Sequence, residues 1–207
     1  MVYIVLLIIA YLLGSIPTSV WVGKWFYRVD VREHGSGNAG ATNTIRVLGW
    51  KAGGPVFFID GLKGFVASSL VIYADFPHGT NSWVNFQLAL GFAALLGHIF
   101  PIFAKFKGGK GVATLLGVVV ALTPLPAALA FIVFLIVLFI FKYVSLGSIV
   151  AGISYPIILW SVFTEQPISM KVASVVMAIA LIVTHKKNIN RLLKGEESKA
   201  GFLFKKK

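Results

Sequence analysis

Residues Val112–Phe141 read VATLLGVVVALTPLPAALAFIVFLIVLFIF, and the number of times this stretch crosses a bilayer decides the topology of the whole chain. A continuous helix over it would be about 45 Å long at 1.5 Å per residue, too long for one perpendicular crossing of roughly 30 Å of hydrocarbon. It is also interrupted by Thr123-Pro124-Leu125-Pro126, where proline removes a helical donor and clashes with the preceding turn. The stretch therefore predicts two shorter helices joined by a tight turn, each about 21–24 Å long. At least one of them must start below the membrane surface, where irregular backbone is tolerated only against protein or a water-filled cavity.

Working outward, Val2–Val22, Ala52–Ala74, Trp83–Phe103, Leu146–Phe163 and the shorter Ser169–Thr184 are apolar enough to span. The N-terminus enters the first of these with no basic region and no small-residue cleavage site, so it reads as a retained helix rather than a signal peptide. Composition agrees. Of 207 residues, 57% are hydrophobic and 13% charged, against roughly 25% charged in an ordinary soluble domain. The mean hydropathy is +0.87.

Charge placement decides the span count. The formal charge is +12. Lys24, Arg28, Arg32, Arg46 and Lys51 fall in the first connection, Lys105, Lys107 and Lys110 in the third, Lys142 in the fifth, and Lys186, Lys187, Arg191, Lys194, Lys199 and Lys205–Lys207 in the tail. The connections around Asp75–Ser82, Thr123–Pro126 and Thr164–Ile168 carry no Lys or Arg. Seven crossings put every basic connection on one side, which the positive-inside rule makes cytoplasmic; six would strand a cluster outside. The expected fold is an all-α integral membrane protein of seven transmembrane helices, N-terminus outside and C-terminus cytoplasmic. It forms a single domain over residues 1–207, with about 196–207 a flexible basic tail.

The chain has no cysteine, which excludes disulfides, iron–sulfur clusters and a thiol nucleophile. His34, His78, His98 and His185 lack the spacing of a helical zinc site. No metal or cofactor is called for.

Three segments rich in glycine, small polar residues and cations interrupt the apolar sequence. In Arg32–Arg46, alternating glycines let backbone N–H groups turn toward an anion, Ser36, Asn38, Thr42 and Asn43 can donate hydrogen bonds, and Arg46 can bind phosphate bidentately. Phe103–Thr114 contains Lys105, Gly108, Gly109, Lys110 and Gly111 and opens into a helix, whose N-terminal N–H groups suit phosphate. It is not a Walker A loop. In Thr184–Leu193, His185 and Asn188 share a helical face, and the histidine is the group there that titrates near neutrality. Asp60 and Lys63, also three apart, read as a self-neutralising intramembrane pair orienting the first polar loop. Ser145 and Ser148 are placed to line the same cytoplasmic side.

Gly14-Ser15-Ile16-Pro17-Thr18-Ser19 with the Gly35–Arg46 loop, Gly97-His98 through Phe106-Lys107-Gly108-Gly109-Lys110-Gly111, and His185 with Asn188 and Arg191 together resemble the three signature blocks of the bacterial acyl-phosphate-dependent glycerol-3-phosphate acyltransferases, the PlsY family. The resemblance implies an enzyme of the bacterial inner membrane, with its site facing the cytoplasm. It would move a fatty acyl group from acyl phosphate to the 1-hydroxyl of glycerol 3-phosphate, giving lysophosphatidic acid and inorganic phosphate. Ser36, Arg46, Lys105 and His185 would be catalytic. Asn38, Thr42, Asn43, Gly108, Gly109, Lys110, Gly111, Ser145 and Asn188 would bind substrate. The partners expected are acyl phosphate, glycerol 3-phosphate and membrane lipids, with no nucleic acid.

The His-x4-Asp pattern of many other glycerolipid acyltransferases is missing, which argues against coenzyme A dependence. The alternative is a membrane transporter for a phosphorylated solute, which also sets anion-binding loops against broken helices. The chain lacks the repeated halves such a design shows.

Overall fold

The computed structural model describes residues 1–201; Lys205, Lys206 and Lys207 of the basic tail lie outside the described residues. The described residues are helical with no strand, and they fall into two compact units divided at Leu122 and Thr123.

The first unit holds α1 (Val2–Gly14), α2 (Thr18–Tyr27), α3 (Ala41–Leu48), α4 (Trp50–Ser69), α5 (Asn81–Ile99) and α6 (Val112–Leu122). Residues 2–22, expected as one straight helix, instead bend by 44° between α1 and α2. The cause is Pro17, which lacks the N–H to continue the ladder and disfavours helical backbone at Ile16. Leu6 and Ala10 of α1, Ala67 of α4, and Leu90 and Ala94 of α5 form a buried core with Val71 and Ala74.

Close packing uses small residues. A methyl added at Gly14 would overlap the Ala94 carbonyl on α5, and one at Gly117 would overlap the Gly61 carbonyl on α4. Between membrane helices, where lipid is as apolar as the side chains, such backbone approach supplies the van der Waals contact that holds the pair.

The second unit holds α7 (Pro124–Phe141), α8 (Val144–Ser161), α9 (Ile168–Thr184) and α10 (Lys186–Leu193). The helix break falls at the predicted prolines: Pro124 occupies the first turn of α7, where its missing N–H is not needed. The two pieces are unequal, however. At 11 and 18 residues they measure about 16 and 27 Å, because the break at Thr123 lies N-terminal to the middle of the stretch. α9 turns into α10 through 63° at His185.

Among the described residues, four helices are long and apolar enough to cross a membrane, or up to six if each bent pair counts as one span; α6 is shorter. One basic residue lies beside the Thr164–Ile168 connection, which itself carries no Lys or Arg. Lys171, in the first turn of α9, donates to the Thr164 carbonyl at 2.6 Å and sits over the Trp160 ring.

Candidate active site

In the first unit, two of the three polar segments meet. Asp30 stands just ahead of the first. Its carboxylate takes Nε and Nη2 of Arg32 at 3.0 and 2.7 Å and lies 3.2 Å from Lys24 Nζ. The Arg32 hydrogen bonds hold its carboxyl well below the usual range. Arg32 also reaches the Ala104 carbonyl through Nη1 at 3.2 Å, tying the first segment to the second.

Ser36 stands exposed on a turn with Gly35 and Gly37 at φ +62° and +71°, the left-handed region that glycine enters without steric cost. Asn43 pins this turn from beneath. Its Oδ1 accepts the Ser36 N–H at 2.8 Å, and its Nδ2 donates to the carbonyls of Val31 and His34 at 2.7 and 3.1 Å. Asn43 is buried, and its amide is spent within the protein. It therefore shapes the loop rather than offering the amide to a ligand. Thr42 and half-buried Arg46 lie one helical turn apart on α3, and the Arg46 side chain packs beside Gly35. Asn38 is half-buried and sits against Gly40.

The second segment folds back on the end of α5. Lys105 and Phe106 both adopt left-handed backbone, at φ 55° and 58°, a conformation costing non-glycine residues about 1–3 kcal/mol each and held only where the surroundings enforce it. Here the enforcement is visible. Phe106 N–H donates to the Pro101 carbonyl, Lys107 N–H to Ala104, Gly108 N–H to Ile99 and Gly109 N–H to His98, at 2.9–3.2 Å. Lys105 is thereby presented outward, exposed.

These bonds correct the sequence expectation at one point. The N–H groups of Gly108 and Gly109 are turned inward and are not donors for an anion. The helix-start donors belong instead to the first turn of α6, directly after Lys110 and Gly111. What Gly108 and Gly109 provide is close approach: a methyl on Gly108 would overlap the His98 carbonyl, and one on Gly109 would overlap His98 Nε2 and lie 2.9 Å from the Ala39 carbonyl.

Beneath this junction, Asp60 and Lys63 pair at 2.8 Å, both buried. Asp60 accepts the Thr18 hydroxyl at 2.9 Å and Lys63 donates to the Ile16 carbonyl at 2.8 Å. The pair thus braces the Ser15–Pro17 break directly. A cavity of about 10 Å³, roughly the space of one water molecule, is lined by Thr18, Ala39, Asp60, Lys63, His98 and Gly109.

The third segment belongs to the second unit. His185 is buried, with Nδ1 2.8 Å from the Leu181 carbonyl. A carbonyl only accepts, so Nδ1 carries a proton. Asn188 Nδ2 and Ser145 Oγ both donate to Glu197 Oε1 at 2.7 Å, and Arg191 Nε donates to Oε2 at 2.7 Å. Burial pushes the Glu197 carboxyl up, but these three bonds outweigh it and leave it below its ordinary value.

Glu197 was missed in the sequence, where it fell inside the tail. The signal was Gly195. With φ +71°, it ends α10 by a Schellman turn, in which Glu196 N–H bonds the Arg191 carbonyl and Gly195 N–H bonds the Leu192 carbonyl. Such a turn sends the chain back along its own helix, and Ala200 N–H then reaches the Lys142 carbonyl.

The sequence profile of the family described as glycerol-3-phosphate acyltransferase matches residues 4–195. A glycerol-3-phosphate acyltransferase from Staphylococcus haemolyticus is 44% identical over 96% of this chain and 98% of its own length. One from Chlorobaculum tepidum is 38% identical over 97% of each. Among solved structures, crystal structures of PlsY, an integral membrane glycerol 3-phosphate acyltransferase, superpose closely. Its glycerol 3-phosphate form matches with a TM-score of 0.87 at 41% identity over 96% of both chains. Its lysophosphatidic acid form matches with a TM-score of 0.86 at 40% identity over 99% of this chain and 100% of that one. With blocks matching along nearly its whole length, the chain belongs to the glycerol-3-phosphate acyltransferase family of integral membrane proteins.

Proposed function

We propose that the protein transfers a fatty acyl group from acyl phosphate to the 1-hydroxyl of glycerol 3-phosphate, releasing inorganic phosphate and lysophosphatidic acid. The observation that carries this reading is the meeting of the Ser36 turn with the Lys105 turn, two segments built to present cations and hydrogen-bond donors outward. Both substrates bear phosphate, and both need such donors. Membership of the family supports an enzyme over a transporter.

Ser36, Arg46, Lys105 and the first turn of α6 hold phosphate oxygens and stabilise the charge that develops on the acyl carbonyl. Lys110 and Gly111 sit at the mouth of that turn. Asn38 and Thr42 of the first unit position glycerol 3-phosphate, with Asn43, Gly108 and Gly109 acting through the loops they shape, and Ser145 and Asn188 of the second unit act through Glu197, to which both donate. The hydroxyl oxygen attacks the acyl carbon, the bond to the phosphate oxygen breaks, and phosphate leaves with its electron pair. Because the donor is an activated mixed anhydride, positioning and charge stabilisation supply most of the rate. His185, held through Nδ1 by the Leu181 carbonyl, is the side chain we assign to take the hydroxyl proton.

We also propose seven spans: the four long helices, the two bent pairs and short α6, with the basic connections and the site facing the cytoplasm of a bacterial inner membrane. The charge distribution supports this orientation.

Purified protein given acyl phosphate and labelled glycerol 3-phosphate should form lysophosphatidic acid, and none from acyl coenzyme A. In His185→Ala, residual activity should lose an ionisation near neutrality. A profile identical in shape to the parent's would assign proton removal to a substrate phosphate instead.

A further inference from the structure

One buried side chain backs the glycine turn at Gly109 and at Thr114, and the proposed reaction gives it no role. His98 closes α5 and is almost wholly buried. Its backbone carbonyl accepts the Gly109 N–H at 3.2 Å. Its ring edge at Nε2 lies so close to the Gly109 α-carbon that no side chain fits between them. Its Nδ1 shares a hydrogen bond of 3.0 Å with Thr114 Oγ1, in the first turn of α6. Asp60 Oδ1 stands 3.8 Å from the same nitrogen, itself held by Thr18 and Lys63.

The imidazole therefore spans the glycine turn from Gly109 to Thr114, bracing the point where the turn leaves α5 and the point where it enters α6. The Ala39 carbonyl of the Ser36 turn rests against Gly109 from another side. The ring thus stands between Gly109, on which the Ser36 turn rests, and the start of α6.

We propose that His98 is a positioning residue for phosphate recognition: stapled to Thr114 and backed by the buried Asp60–Lys63 pair, it fixes the glycine turn at the separation from the Ser36 loop that a phosphate monoester needs. This inference rests on the reading of the two turns as phosphate-binding. His98 touches no substrate. Its effect falls on the affinity for phosphate-bearing ligands, because a misplaced turn weakens ground-state and transition-state binding alike.

The variants that test this keep the core filled. Thr114→Val has nearly the shape of threonine and loses the hydroxyl, while Thr114→Ser keeps it. His98→Asn places an amide near the Nδ1 position and withdraws the Nε2 edge from Gly109. Glycerol 3-phosphate binding to each purified protein is measured by calorimetry, beside KM, kcat and the melting temperature.

Thr114→Val and His98→Asn should weaken glycerol 3-phosphate binding, and raise KM for at least one phosphate substrate, by fivefold or more, with kcat changed less than twofold. Thr114→Ser should restore the parent's values. The double variant Thr114→Val/His98→Asn should lose little more than either single one, as expected for residues acting through one contact. Parent-like affinity in both single variants, or losses that follow melting temperature alone, would overturn the inference. Because binding is read without turnover, a parent that binds glycerol 3-phosphate but makes no product from acyl phosphate would defeat the donor assignment while leaving the His98 comparison decisive.

Discussion

At the scale of single residues, the chain separates groups that present chemistry from groups that shape the backbone beneath them. Lys105 is the sharpest case, an exposed cation held in left-handed backbone that glycine would adopt more easily. Lys105→Gly should melt no lower than the parent, since it relieves strain, yet lose on the order of a hundredfold or more in kcat/KM. A purely structural role for Lys105 would give the opposite pairing of melting temperature and rate.

Asp30 shows the shaping role. Its folded-state carboxyl ionises below the ordinary value of 3.8, so its contribution to stability is complete at neutral pH and is lost as pH falls below that value. Asp30→Asn should cost about 1–3 kcal/mol at pH 7, and denaturant unfolding at successive pH values should show the gap to the parent closing below about pH 4.

The residue types of both classes were legible in the sequence as polar, glycine-rich segments. Their division was not. Asn43 and Ser36 look equally able to donate, and only the fold reveals that the Asn43 amide is used up on Val31, His34 and Ser36.

At the scale of elements, proline and glycine placement carried most of the readable information. The Pro124 break follows from proline's missing donor, and the sequence located it correctly. The bend after Gly14 has the same cause at Pro17, but the surrounding run is apolar enough to read as one helix. The inward-turned N–H groups of Gly108 and Gly109 were not readable, because they depend on carbonyls at the end of α5 that sequence spacing does not bring near.

Glycines inside helices act through contact distance, which is testable by adding one carbon. Gly117→Ala should push α6 from α4 at the Gly61 carbonyl and lower the unfolding free energy by about 1–3 kcal/mol. Gly54→Ala, whose added methyl meets nothing nearer than 3.9 Å, should match the parent in the same denaturant titration.

At the scale of the whole molecule, the surplus of positive charge performs two tasks. In the proposed reading it orients the helices, and in a few places, chiefly Arg46 and Lys105, it supplies the phosphate ligands. Lys171 shows that the segregation is not complete, and its bond to Thr164 and contact with Trp160 account for it locally. Because the chain has no cysteine, its topology can be mapped by adding one at a time. Ser82→Cys should react with a membrane-impermeant maleimide on intact cells, and Ser198→Cys only after permeabilisation. The reverse pattern would invert the proposed orientation.

The central claim is that acyl phosphate is the donor, and the most direct measurement counts both products in one reaction. Purified protein incubated with acyl phosphate and glycerol 3-phosphate should release one inorganic phosphate for each lysophosphatidic acid formed, and release of neither should exceed the uncatalysed rate when glycerol 3-phosphate is omitted. Lysophosphatidic acid formed from acyl coenzyme A but not from acyl phosphate would contradict the account.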